Sequence, residues 1–214
     1  MKDLDEGWTL TPEPASSGQC GTERVIDCAS PFRAPAASFS MLYIPTIETP
    51  RLRLTALHER HFEAYASMLG DPGTIRFVGD GQPLDRMNAW RSMAMLLGHW
   101  ALRGYGMWAV ELKNSGEFIG RVGLMNPEGW PDVELGWMLV PAHRQHGYAT
   151  EATSAVLHFA FQSLGVPRLI SLIRFDNVRS ERVARRLGGR QGTTIDFLGK
   201  ATLVYSYYPD DSAV

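Results

Sequence analysis

The run Leu139-Val-Pro-Ala-His-Arg-Gln-His-Gly-Tyr-Ala-Thr-Glu-Ala152 joins a strand that stops at Pro141 to a helix that begins near Tyr148. The first turn of a helix holds unpaired N–H groups and the positive end of the helix dipole, so a loop feeding that turn attracts anions. Gly147 lets the backbone come close to a phosphate, and Arg144 and His146 add cationic or donor side chains on the same side. The chemistry suits a diphosphate. No GxxxxGK followed by Ser or Thr is present, and Gly104-Tyr-Gly106 lacks the third glycine of GxGxxG, so ATP and NAD are disfavoured as its owner.

The other reactive side chains narrow the reading. Cys20 and Cys28 both lie near the N-terminus, which leaves the rest of the chain without a thiol nucleophile or a Cys-based zinc site. His58, His61, His99 and His158 show no shared metal spacing, and no metal is expected. Arg182, Arg185 and Arg186 form a basic face that either meets a phosphate or is simply solvated. Trp90, Trp100, Trp108, Trp130 and Trp137 serve the core or an acceptor pocket, and the sequence leaves both open.

The elements that must position this loop are legible from periodicity. Arg51 to Thr55 alternates polar and apolar residues, as a strand with one buried face does. His58–Leu69 and Leu84–Leu102 read as helices, Gly106–Leu112 and Glu117–Leu124 as a hairpin about Asn114-Ser-Gly116, and Val133–Val140 as a further strand. A helix Tyr148–Leu164 follows the loop, with Ala152, Val156, Phe159 and Ala160 forming an apolar stripe. Next come a strand Arg168–Ile173, a helix Val178–Leu187 and a closing hairpin, Thr193–Leu198 with Ala201–Tyr208, about Gly199-Lys200. Strands that pair partly as hairpins and alternate with helices imply an α/β fold with one mixed sheet covered on both faces.

Composition bounds the partners. Of 214 residues, 44% are hydrophobic, and 21 Lys and Arg against 23 Asp and Glu give a net charge of −2. A near-neutral chain is a poor fit to long nucleic acid, which selects a basic excess. The longest apolar-rich run, Ala89–Leu102, is broken by Arg91, Ser92 and His99, so no membrane span is expected. The acidic opening MKDLDEG does not resemble a signal peptide, and the expected location is cytoplasmic. Residues 1–44, rich in Pro, Ser, Ala, Thr and Gly, read as a disordered extension before a domain over 45–214, and Met41 is a candidate natural start.

Arg144-Gln-His-Gly-Tyr-Ala149 resembles the Q/R-x-x-G-x-G/A signature of the GNAT superfamily of N-acetyltransferases. Glu134-Leu-Gly-Trp-Met-Leu-Val-Pro141, Glu48-Thr-Pro-Arg-Leu-Arg-Leu54, Asn177-Val-Arg-Ser180 and Leu187-Gly188 are similar to its ribosomal-protein N-terminal acetyltransferase branch. The resemblance covers about residues 46 to 208 and implies a twisted sheet of about six or seven strands, splayed between two central parallel strands. It implies acetyl-CoA as co-substrate and direct transfer of the acetyl group to a primary amine, on a protein N-terminus or a small molecule. By the same resemblance, Met138, Leu139 and Val140 hold the pantetheine arm through backbone groups. Arg144, Gln145, His146, Gly147, Tyr148 and Ala149 hold the diphosphate, and Asn177 meets the far end of pantetheine.

Glu134 is the implied base and Ser180 the implied acid, because the position seven residues after the Asn, a Tyr in many relatives, is Ala184 here. An α-amine, with a pKa near ~8 against ~10.4 for lysine, needs less help to become a nucleophile. The bland readings are a solvated strand end for Glu134 and, for Asn177 and Ser180, the N-cap and N3 residues of a helix. The departure at Ala184 keeps a non-catalytic acetyl-CoA sensor open as an alternative, and the oligomeric state is open between monomer and homodimer.

Overall fold

The computed structural model describes residues 43–209, which belong to one compact unit. Cys20, Cys28, Met41 and most of the expected disordered extension lie outside them. At the described start Tyr43 is exposed, Ile44 packs against the core, and Pro45 O accepts a hydrogen bond from Trp108 Nε1 at 2.7 Å.

The strands are β1 (Ile47–Glu48), β2 (Leu52–Thr55), β3 (Met107–Leu112), β4 (Phe118–Met125), β5 (Glu134–Leu139), β6 (Leu169–Arg174), β7 (Arg190–Phe197) and β8 (Lys200–Tyr207). They form one sheet in the order β1-β2-β3-β4-β5-β6-β8-β7, antiparallel throughout except for the parallel pair β5 and β6. Eight strands replace the expected six or seven, partly because β1 has two residues, too few to show a period. The helices are α1 (Phe62–Gly70), α2 (Pro72–Ile75), α3 (Arg86–Arg103), α4 (Tyr148–Gln162) and α5 (Val178–Arg186). After α1, Thr74 Oγ1 donates to Asp71 Oδ2 at 2.5 Å and closes the single turn α2.

Local chemistry sets the ends of these elements. Asp85 caps α3 by accepting from Asn88 N at 2.7 Å, and Gly104 ends it in the left-handed conformation that a C′ glycine adopts freely. The closing hairpin turns through Leu198 and Gly199, both at positive φ, as a primed turn requires.

Two apolar clusters cover the sheet. In one, Ala152, Val156 and Ala160 of α4 and Ala184 of α5 meet strand residues such as Leu54, Leu124, Leu135 and Leu169. Trp108 is its centre, edge-on to Trp100 and Phe159 at 4.6 and 5.5 Å. In the other, α1 to α3 bring Tyr65, Leu69, Met93 and Leu96 against Ala109, Phe118, Met125 and Met138. Period-two alternation sends Leu135 and Leu139 of β5 to the first cluster and Met138 to the second.

Candidate active site

The chain leaves β5 through a single 3₁₀ turn at Pro141–His143, passes Arg144 to Gly147 and enters α4. Gln145 and Gly147 both have positive φ, 68° and 82°. Successive N–H groups around such residues converge into a nest for anions. Among the described residues no partner is found for the backbone N–H of Gln145, His146, Gly147, Tyr148, Ala149 or Thr150; the first to be paired is that of Glu151, to Gly147 O at 3.0 Å. Six donors at the start of a fifteen-residue helix can receive an anion without any side chain.

The turn is pinned from the far side of the sequence. Arg51 gives its N and Nε to the Glu151 carboxylate at 2.9 and 2.6 Å and its Nη1 to His146 O at 3.0 Å, with its guanidinium 4.5 Å from the Tyr148 ring centre. Thr49 Oγ1 adds a 2.6 Å bond to Glu151. Burial pushes the Glu151 carboxyl up, but these bonds outweigh it and hold its pKa below the usual value. A Cβ on Gly147 would stand 3.3 Å from Arg51 Nη2 on a backbone that side chains avoid, so glycine is needed twice over. His146 stacks on Tyr148. Arg144 turns inward, its Nε to Leu139 O at 3.0 Å and its Nη2 to Thr74 Oγ1 at 2.5 Å, tying the turn to α2. Burial, and then the nearby Arg179, lower its pKa.

β5 and β6 pair only at Glu134 and Ile170, near their N-terminal ends, and then part. The closed end is held by Ser171 Oγ, which donates to Leu135 O at 2.6 Å and lies 3.1 Å from Tyr207 Oη. In the antiparallel ladder with β4, Met138 lies opposite Arg121, and Val140 N donates to Ile119 O at 3.0 Å. Alternation then points both backbone groups of Met138 and Val140 at β4 and those of Trp137 and Leu139 at the opening. Val133 O, Leu135 O and Leu139 O, which accept from Ile170 N, Ser171 Oγ and Arg144 Nε, fit that alternation. Of the expected Met138, Leu139 and Val140, only Leu139 turns its backbone groups to the opening; the register moves the other part from Met138 and Val140 to Trp137.

Glu134, Gly136 and Met138 share the other face of β5 and line a cavity of about 330 Å³ with Arg121, Trp130, Arg174, Asn177 and Ser180. Glu134 Oε2 accepts from Trp130 Nε1 at 2.6 Å, and the carboxylate also takes the Leu172 N–H. Burial raises its pKa above the usual value, despite these donors and the charges of Arg121 and Arg174. Trp130 is itself braced edge-on by Phe197 at 5.0 Å. Asn177 Oδ1 caps α5 by accepting from Ser180 N at 3.3 Å, while Ser180 Oγ has no partner among the described residues. Ala184 is fully buried against the core, where a Tyr would not fit without displacing its neighbours.

The structure thus gathers Glu134, Met138, Asn177 and Ser180 on one cavity and places residues 144–149 on the turn beyond it. Arg121 and Arg174 escaped sequence reasoning because their roles come from cross-strand register, while Trp130, left open between core and acceptor pocket, lines the cavity. Arg51 stood inside a noted motif, but nothing local pairs it with Glu151. Among the described residues no group of three His, Cys, Asp or Glu is placed to hold a metal, and no helix is long and apolar enough to cross a membrane.

Residues 51–190 match the model of the acetyltransferase (GNAT) domain. A solved acetyltransferase from Agrobacterium tumefaciens is 34% identical with a TM-score of 0.70, over 78% of this chain and 95% of that one. The FsC-acetyl coenzyme A-N(2)-transacetylase of Aspergillus fumigatus is 28% identical over 153 residues, 67% of this chain and 64% of that one. RimL, a ribosomal L7/L12 alpha-N-protein acetyltransferase solved with coenzyme A, shares the fold at 19% identity and a TM-score of 0.66, over 78% of this chain and 99% of that one. The chain belongs to the GNAT acetyltransferase family and is an acetyl-CoA-dependent acetyltransferase.

Proposed function

We propose that the chain moves the acetyl group of acetyl-CoA directly to a primary amine, of a protein N-terminus or a small molecule, seated in the cavity beside Glu134. The observation that carries this is the placement of one desolvated carboxylate at the closed end of a splay whose open end leads to the six free N–H groups. Those groups fit a diphosphate, and the cleft-facing backbone of Trp137 and Leu139 fits the amides of a pantetheine arm laid in as an extra strand. When bound, the donor supplies a thioester carbonyl as electrophile. Glu134 takes a proton from the acceptor's ammonium, directly or through a water, freeing the lone pair that attacks the thioester carbon, and its raised pKa brings it nearer the working range of a general base. Ser180 Oγ, with a free hydroxyl on the cavity wall, hydrogen-bonds the sulfur as it leaves. Asn177 holds Ser180 N and keeps its amide nitrogen for the donor.

The test is CoA release from acetyl-CoA across N-terminal peptides and small amines, with calorimetry of acetyl-CoA binding. Glu134→Gln is expected to lose about 100-fold or more in kcat while the affinity for acetyl-CoA stays within about twofold. Absence of binding heat, or full turnover by that variant, would refute the assignment.

A further inference from the structure

We propose that the acceptor is a small amine bearing a carboxylate on an apolar body, an amino acid in the simplest case, and that Arg121 receives the carboxylate; this rests on the acceptor cavity assigned above. Arg121 stands on β4 opposite Met138, so its side chain shares the face of Glu134, Gly136 and Met138 and lines the same cavity. It is half-buried. Among the described residues its only hydrogen bond is a 3.3 Å contact from Nη1 to Tyr65 Oη, an oxygen that already meets Ser92 Oγ at 2.9 Å. It makes no ion pair there, and Glu134 is held by Trp130 and the Leu172 N–H instead.

The second cation of the cavity shows what a structural arginine looks like in this fold. Arg174 spends Nη1 on Phe197 O, Lys200 O and Thr202 Oγ1 and Nη2 on Gly79 O, all within 3.3 Å. Arg121 has no such set. A partly desolvated guanidinium with an idle planar fork is costly to the free protein and is matched by a carboxylate that accepts two parallel bonds. Between it and Glu134 lies Gly136, where a Cβ would come within 3.0 Å of Met107 Cε and 4.0 Å of Glu134 Oε1, so the lane between cation and base is kept clear. Phe77, Trp130, Phe197 and Met95 supply apolar walls. A cavity of about 330 Å³ suits a small molecule.

The test compares methionine and phenylalanine with their carboxamides, as pH-independent kcat/KM from CoA release, so that the differing amine pKa values drop out. The free acids are expected to be favoured about tenfold or more. Arg121→Gln should bring the ratio near one by raising KM for the acids, and Arg121→Lys should restore part of it. Amides turned over as well as acids by the parent, or a loss in Arg121→Gln that falls equally on both, would overturn the proposal and leave acetyl transfer standing. Release with other amines but with neither member of the pairs would do the same. Silence toward every amine would take both readings down.

Discussion

Glu134 carries two opposed roles. Its ionised form is the proposed base, yet burial favours the neutral form, so the folded pKa lies above the usual value near 4.5. Between those two pKa values the folded chain binds more protons than the unfolded one, and stability therefore falls as pH rises through that window. Glu134→Gln keeps the Trp130 bond and removes the charge. The variant is expected to melt higher than the parent at pH 7.5 by a few degrees, with the gap closing as pH drops below about 4.5, as thermal unfolding at several pH values will show. Activity should have the opposite slope: kcat rises with pH as Glu134 ionises, and this acid limb disappears in any residual activity of Glu134→Gln.

At the scale of elements, the backbone register of β5 becomes measurable. Only the Trp137 and Leu139 amides face the opening, whereas those of Met138 and Val140 are already engaged by β4. Hydrogen exchange with and without acetyl-CoA should slow at Trp137 and Leu139, about tenfold or more, and change little at Met138 and Val140. The reverse pattern would restore the original register. Most of the architecture was legible in the sequence because strand alternation, the apolar stripe of Ala152, Val156 and Ala160, and Gly147 are local signals. β7 begins three residues earlier than the expected Thr193 because Arg190-Gln-Gly-Thr193 is exposed and gives no apolar alternation. Which backbone groups of a strand face outward depends on the neighbour's register, and a single strand's residues do not encode that. For the same reason the helix-start turn from Arg144 to Ala149 could be read locally, while the cavity residue Arg121 could not and Trp130 was left open between core and pocket.

For the molecule as a whole, the Arg51–Glu151 pair is the longest-reaching ion pair among the described residues. It joins the start of β2 to the first turn of α4 across 100 residues. Arg51→Ala should weaken acetyl-CoA binding about fivefold, the equivalent of about 1 kcal/mol, by letting the His146–Gly147 backbone relax. Combined with Glu151→Ala, the loss in melting temperature should be smaller than the sum of the single losses, since either change alone breaks the pair. A purely additive cycle would show that the two residues act independently. The contact also sets an order of events for a chain being made. A nascent polypeptide that has released β2 but not yet Glu151 lacks the clasp, and one clipped just after Arg51 loses it again. Full coenzyme affinity then reports that the segment before β2 and the start of α4 are both in place, and copies cut between Arg51 and its strand hold the coenzyme more weakly.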